Sequence, residues 1–315
     1  MNISVIIVNW NTRNLLEQCL ESLTSAPASR STEIIVVDNA SSDDSVEMVE
    51  KKFPHVKLIR SQENLGFAKA NNLAIQRSVG RYVSLVNSDV KVLPGCLDAL
   101  ADYLDRNPKV GNVGPRVLNT DMTLQTSCRY FPTLWNNFCA AAGLSSVFRR
   151  SRLFSGEEMN FFAHDRITLV EGLVGCFWML RRDAIQNVGT LDESFFMYGE
   201  DLDWCRRCWN ANWQVAFTPA ALAIHHRGGS SHAHITRLAV TQQNSVLHYW
   251  SKHKSPLELL GIKSIFLFRH LIRYSLGLIL RLVRPADVSR SEGRARTSWA
   301  CMQALLSGSA EVPRG

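Results

Sequence analysis

Ile3-Ser-Val-Ile-Ile-Val-Asn-Trp-Asn11 is a short, β-branched apolar run that breaks off into polar side chains. A half-exposed strand would alternate apolar and polar residues. A run this continuous reads as a strand covered on both faces, as in a parallel sheet. Three runs of the same kind follow, at Glu33–Val37, Val56–Ile59 and Tyr82–Val86. Helical patterns accompany them. Leu15, Leu16, Cys19, Leu20 and Leu23 share one helical face, as do Cys96, Leu97, Leu100, Ala101 and Leu104 after Pro94, a favoured first-turn residue. Strand–helix–strand units with right-handed crossovers give an α/β fold built on a doubly wound, mostly parallel sheet.

Sheets of this kind bind ligands beyond the carboxyl ends of their strands. The polar residues fall in those places. Asn9-Trp10-Asn11 follows the first strand, Asp38-Asn39 the second, Asn64-Leu65-Gly66 the third and Asn87-Ser88-Asp89 the fourth. Four separate segments therefore deliver hydrogen-bonding groups to one crevice. The glycine patterns of a dinucleotide site and of a P-loop are both missing. A pyrophosphate bound here needs another source of positive charge, and a divalent metal held by a carboxylate is the simplest.

A chain of 315 residues, 46% hydrophobic, can hold one large domain or two modest ones. Its start lacks the basic, apolar and small-residue regions of a secretory signal, so none is expected. No window of about 18 uncharged apolar residues is present, and no ordinary transmembrane helix is expected either. The eight scattered cysteines suit a reduced, cytoplasmic protein, and Cys205 and Cys208, lacking a second pair at zinc spacing, read as packing residues. The net charge of +7 is concentrated between Lys252 and Arg296, where ten basic residues face three acidic ones.

Beyond these local readings, several segments carry a resemblance in order and spacing. They are Ser4-Val-Ile-Ile-Val-Asn-Trp-Asn11, Val36-Val-Asp-Asn-Ala-Ser-Ser-Asp43, Glu63-Asn-Leu-Gly-Phe-Ala-Lys-Ala-Asn-Asn72 and Val86-Asn-Ser-Asp-Val90. Leu124-Gln-Thr-Ser-Cys-Arg129, Tyr198-Gly-Glu-Asp-Leu-Asp-Trp-Cys-Arg206 and His225-His-Arg-Gly-Gly-Ser230 complete the set. Over roughly residues 1–250 the chain resembles the family-2 inverting glycosyltransferases of GT-A fold, particularly their bacterial rhamnosyltransferase-like branch.

The resemblance implies a nucleotide-diphosphate sugar donor. Asp38 would accept a hydrogen bond from the base, Trp10 would stack on it, and Asn9, Asn39, Asn64, Gly66 and Asn71 would shape the surrounding loops. A turn role for Asp38 and a positive φ for Gly66 are the plainer readings of those residues. Asp89 would hold Mg²⁺ or Mn²⁺ against the diphosphate. The family usually has Asp-x-Asp or a reduced form there, and this chain has Asn87-Ser88-Asp89, with one carboxylate. His225 or His226 would complete the metal shell or touch the diphosphate; strand geometry lets only one of them reach the site, and the His-x-x-Gly-x-Ser spacing favours His225. Glu200-Asp201 matches the acidic pair whose second member is the base, with Arg206 or Arg207 orienting the carboxylates. Acids at a helix start are the plainer reading of that pair. Gly172–Arg182 resembles the strand lining the acceptor side, where Trp178 either stacks on a sugar or packs in the core. Gln125, Ser127 and Arg129 match a segment of rhamnosyltransferase-like members, the reason to expect a deoxysugar such as rhamnose.

Residues 257–284 form an apolar helical pattern in which Lys263, His270, Arg273, Arg281 and Arg284 recur near one face. Such a helix suits a membrane interface, basic face toward anionic headgroups, better than nucleic acid, which needs no large apolar face. The alternative is a helix docked on the protein, and a homodimer is compatible with either. The expected organisation is a catalytic domain over 1–250 (nucleotide half 1–115, acceptor half 116–250), an amphipathic segment over 251–285 and a mobile tail over 286–315. The resulting expectation is a cytoplasmic enzyme, peripheral on the inner membrane face, acting on a growing lipid-linked glycan. A nucleotidyltransferase would require a glycine-rich activating loop near the N-terminus, which is not seen, and an inactive carbohydrate-binding homologue is the non-enzymatic alternative.

Overall fold

The computed structural model describes residues 1–226, 235–283 and 288–307. The first apolar runs form parallel strands. β1 (Ile3–Asn9) leads through α1 (Arg13–Ser25) to β2 (Thr32–Asp38), then α2 (Ser45–Lys52), β3 (Lys57–Arg60), α3 (Gly66–Arg77) and β4 (Tyr82–Asn87). Each of β1, β2 and β4 is buried nearly end to end, which is why their sequences do not alternate.

The chain then adds β5 (Val90–Val92), α4 (Cys96–Arg106), β6 (Val110–Leu118), and the short β7 (Leu124–Gln125) and β8 (Cys128–Arg129). Helices α5 (Leu134–Ala141) and α6 (Leu144–Val147) follow, then β9 (Thr168–Leu169), β10 (Gly172–Leu173), β11 (Phe177–Arg181), α7 (Arg182–Val188), α8 (Glu200–Asn210) and β12 (Gln214–His225). In the main sheet the strand order is β3-β2-β1-β4-β11-β6-β12-β5. The β3-β2-β1-β4 half is parallel throughout. The second half is mixed: β11 lies antiparallel between β4 and β6, and β12 runs parallel to β6 and antiparallel to β5.

Two of these pairings build the site. β1 and β2 are in register so that Asn9 lies beside Asp38. β12 returns beside β5 with His225 opposite Val90, which brings His225 to the residue that follows Asp89 although the two histidine and aspartate positions lie far apart in the chain.

The contacts divide the protein into two compact units. One holds residues 1–131, 162–196 and 200–230 and contains the sheet. The other holds residues 132–161, 197–199 and 231–315 and is helical, with α5, α6, α9 (Ile235–His253), α10 (Pro256–Val283) and α11 (Val288–Ser307). Residues 132–161 and 231–250 thus group with the C-terminal helices.

Within the helical unit, α10 turns Ile262, Phe266 and His270 inward and packs Gly261 against Leu134 of α5. Gln243 of α9 ties three helices together: its Nε2 donates to the Cys301 carbonyl (3.0 Å) and its Oε1 accepts from His270 Nε2 (2.8 Å). His270, 3% exposed, is held neutral, because burial and then the Arg269 and Arg273 charges push it down to about 4. This corrects the place of His270 in the expected basic face: periodicity puts it beside Lys263 and Arg273, but its own side chain is covered by protein. Lys263 and Arg273 are exposed, while Arg284 and the Arg281 side chain lie outside the described residues. The outward stripe of α10 is apolar: Leu257, Leu260, Phe268, Leu271, Leu276 and Ile279 are all exposed.

The mobile tail is corrected as well, since α11 occupies most of 286–315. It buries Ser298, Cys301 and Met302, whose three- and four-residue spacing is that of a docked helix and was hidden among small residues. No helix among the described residues is long and apolar enough to cross a membrane. All eight cysteines are free and buried, Cys205 and Cys208 included.

Candidate active site

At the ends of β1 and β2 the polar side chains form one network. Asn9 Nδ2 donates to Asp38 Oδ1 (3.1 Å) and to Ser41 Oγ (3.0 Å), and the Ser41 amide donates to Asp38 Oδ2 (3.0 Å). Thr12 Oγ1 donates to Asn9 Oδ1 (2.7 Å) and lies 2.8 Å from the Ser88 hydroxyl, which links this network to the loop carrying Asp89. Asp38 is therefore buried and oriented, and a carboxylate with two partners keeps lone pairs for a third. Trp10 follows the end of β1, and 37% of its surface is exposed.

The loop before α3 is shaped from within. Asn39 Nδ2 donates to Asn64 Oδ1 (2.9 Å) and the Gly66 carbonyl (3.3 Å), while Asn39 Oδ1 accepts from the Leu65 amide (2.8 Å). Asn71 is buried and its Nδ2 donates to the Phe67 carbonyl (2.9 Å). The Asn39 and Asn71 amides are directed to the protein, and they hold the loop in shape. Gly66 has φ +76°, and a Cβ there would come within 2.5 Å of the Phe196 carbonyl oxygen. Both its conformation and its space require glycine.

The fourth strand ends in Asn87-Ser88-Asp89, where His225 arrives from β12. Its Nε2 lies 3.2 Å from Asp89 Oδ1 and its Nδ1 lies 2.6 Å from Gln125 Oε1. Of the two histidines it is His225 whose ring reaches the aspartate, while the His226 amide donates to the Asp89 carbonyl (2.9 Å). Burial opposes a charge on His225, but the Asp89 carboxylate and the Cys176 thiol outweigh it and raise the imidazole to about 10. In this state the pair is an ion pair.

The pair fits a divalent cation. One carboxylate and one imidazole nitrogen converge, both side chains keep some access to solvent, and Asn87, two residues before Asp89, has a buried Oδ1 with no partner. Among the described residues no group of three or more acidic, histidine or cysteine side chains converges. Were Mg²⁺ held here, further coordination positions would fall to ligand oxygens and water.

Asp201 stands at the start of α8. Its Oδ2 accepts from the Gly175 amide (3.1 Å) and its Oδ1 from its neighbour Leu202 (2.8 Å). Burial pushes this carboxyl above the usual carboxylate range, against the pull of those two amides and the Arg129 charge. Glu200 is buried and raised well above its ordinary value by burial and then by the Asp201 charge, and its Oε2 has no partner. The expected arginine roles are corrected here. Arg207 binds Asp203 (2.8 Å) and the carbonyls of Val188 and Thr190, and Arg206 lies over the Phe131 ring. Backbone amides orient Asp201 instead, and the basic residue acting on it is Arg129.

Gly175-Cys176 joins the two clusters. The Gly175 amide holds Asp201, the Cys176 thiol acts on His225, and the Cys176 carbonyl accepts from the Asn87 amide (2.9 Å). No individual role for Gly175, Cys176, Thr12 or Ser41 is legible in the sequence, because a small residue in a loop signals nothing until its neighbours are known. Trp178 is a correction. It is 1% exposed, packs against Trp204 and donates its Nε1 to the Val174 carbonyl (2.9 Å), so it belongs to the core and faces no acceptor.

A family model described as Glycosyl transferase family 2 matches residues 4–189. The chain is 28% identical over 311 residues to the N-acetylglucosaminyl-diphospho-decaprenol L-rhamnosyltransferase of Mycobacterium tuberculosis, covering 93% of this chain and 94% of that protein. Among solved structures it resembles S. aureus TarS 1-349 (TM-score 0.52, 15% identity, 98% of this chain and 92% of that one). It also resembles the mannosyltransferase PcManGT from Pyrobaculum calidifontis, solved with GDP-Man and Mn²⁺ (TM-score 0.52, 17% identity, 98% and 86%). These likenesses assign the GT-A fold.

Proposed function

Because the chain belongs to glycosyl transferase family 2, we propose that it is an inverting enzyme that moves a deoxysugar such as rhamnose from a nucleotide diphosphate to a hydroxyl of a lipid-linked glycan. The observation that carries the reading is the Asp89–His225 pair at the carboxyl end of β4, within one network of Asn9 and Asp38. Asp38 accepts a hydrogen bond from the base and Trp10 stacks on it. Asp89 and His225 hold Mg²⁺ or Mn²⁺. The metal, when bound, neutralises the diphosphate as it leaves.

Asp201 is the base. Inversion needs a carboxylate facing the anomeric carbon from the side opposite the leaving group, to take the acceptor proton. The Gly175 and Leu202 amides fix its direction, and its raised proton affinity makes it a better acceptor than an ordinary surface aspartate. Glu200 beside it is also raised, by burial and then by the Asp201 charge, and a proton held there avoids placing two adjacent negative charges in a dry site. Arg129 tempers the Asp201 charge from the acceptor side.

The lipid-linked acceptor is supported by the name of the mycobacterial relative. The exposed apolar stripe of α10 supports a peripheral position on the inner face of the plasma membrane, the chain remaining cytoplasmic. A thermal-shift screen of nucleotide sugars with and without Mn²⁺ tests the reading. A donor at about 100 times its dissociation constant adds roughly 2.7 kcal/mol to stability. At least one nucleotide deoxysugar should stabilise the protein in the presence of Mn²⁺, and Asp89→Ala should lose that effect. Stabilisation by no donor, or equal stabilisation of the variant, would overturn it.

A further inference from the structure

Gln125 lies in β7, buried, and paired across the β6–β7 hairpin with Val117. Its Nε2 faces two oxygens, Asn119 Oδ1 (2.8 Å) and the His225 carbonyl (3.4 Å). An amide turned the other way would set its own oxygen against both of them. Oε1 is therefore the atom that faces His225 Nδ1 at 2.6 Å, and since Oε1 can only accept, Nδ1 carries the proton.

The same logic extends outward. Asp121 Oδ1 accepts from the Thr123 hydroxyl (2.6 Å), so Thr123 Oγ1 is left to accept from Asn119 Nδ2 (2.9 Å). Asn119 Nδ2 also reaches the Leu124 carbonyl (3.4 Å), which leaves Asn119 Oδ1 to accept from Gln125. Every donor and acceptor from Asp121 to His225 is thus set in one direction by a carboxylate that can only accept. At the far end, the neutral imidazole has its lone pair on Nε2, the atom beside Asp89.

We infer that Gln125 is a positioning residue that fixes the His225 tautomer, so that Nε2 offers a lone pair beside Asp89 to a divalent cation. The inference rests on the metal reading above. Partners of this kind behind a metal ligand commonly contribute about 10- to 100-fold in affinity.

The test is Mn²⁺ binding, read by the loss of the free-ion EPR signal, alone and with UDP, GDP or dTDP, without turnover. Gln125→Met keeps the volume and removes the acceptor; Gln125→Glu keeps an acceptor for Nδ1 and removes the donors to Asn119 and the His225 carbonyl. Gln125→Met should weaken Mn²⁺ binding about 10-fold or more, and Gln125→Glu should restore it to within about threefold of wild type. A purely structural role would make the two variants equally poor. Gln125→Glu binding no better than Gln125→Met, or Gln125→Met binding as well as wild type, overturns the role of Gln125 alone. Wild-type protein that takes up no Mn²⁺ under any of these conditions overturns the metal assignment itself, and the positioning role with it. Should Gln125→Met not fold, ¹⁵N-histidine spectra of wild-type protein loaded with Zn²⁺ decide. A proton on His225 Nδ1 is expected, and one on Nε2 refutes the inference.

Discussion

Replacing Gly66 by alanine should damage the donor loop far more than the same change at Gly95. Both glycines have φ +76°, so each alanine meets the left-handed penalty of about 1–2 kcal/mol. They differ in their surroundings. A Cβ at Gly95 has nothing within 4 Å, whereas one at Gly66 meets the Phe196 carbonyl oxygen at 2.5 Å and its ring at 2.7 Å. The carbonyl is backbone and accepts from the Phe67 amide (2.8 Å), so α3 can move away only by giving up that bond, about 0.5–1.5 kcal/mol more. For a domain of roughly 150–250 residues each kcal/mol lowers Tm by about 2–4 °C. Gly66→Ala should therefore melt about 1–6 °C below Gly95→Ala in differential scanning calorimetry. Because the Gly66 carbonyl also accepts from Asn39, which holds Asn64, Gly66→Ala should weaken donor binding while Gly95→Ala keeps it. Equal Tm values for the two variants, or unchanged donor affinity in Gly66→Ala, would refute the reasoning.

Asp201→Asn should retain donor binding and lower transfer by about 10²-fold or more, the lower range for a positioned base; transfer near the wild-type rate removes Asp201 from that role. Glu200→Gln should raise Tm at pH 8 and change it little near pH 4. The folded-state value lies above the ordinary 4.5, so stability falls as pH rises from 4.5 to the folded value, where the unfolded chain alone has given up the proton, and below 4.5 both states hold it. A lower Tm for this variant at pH 8 contradicts the assignment. Leu260→Asp with Leu271→Asp should abolish sedimentation with lipid vesicles, since each leucine contributes about 1.5–3 kcal/mol when buried. Because the exposed face of α10 is apolar, high salt should weaken vesicle binding of the wild type only partly. Undiminished vesicle binding by the double variant would show that the stripe does not meet the membrane.

The parallel half of the fold was legible because its strands are buried on both faces and end in polar residues, a signal that needs no partner to be read. The same holds for Asp38 and Asp89, whose place at strand ends is a local property. What was not legible depends on contacts between distant segments. Gln125 stood in the sequence as one polar residue of a matching stretch, and only the return of β12 gives it His225 as a neighbour. Periodicity grouped Lys263, His270 and Arg273 on one side of a helix but could not tell that α9 and α11 cover part of that side. Trp178, on a strand, was equally suited to a ligand face or a core, and only the packing of Trp204 decides between them. Among the described side chains of α11 the buried ones are Ser298, Cys301 and Met302, too small or too weakly apolar to make a pattern against the surrounding arginines.

The most direct measurement is NMR of the product formed from a panel of nucleotide deoxysugars, with Mn²⁺ and a lipid-linked acceptor. A metal-assisted donor site facing an Asp201 base requires transfer with inversion at the anomeric carbon, dependent on the metal and absent from Asp89→Ala. A product of retained configuration, or undiminished transfer by Asp89→Ala, would contradict it.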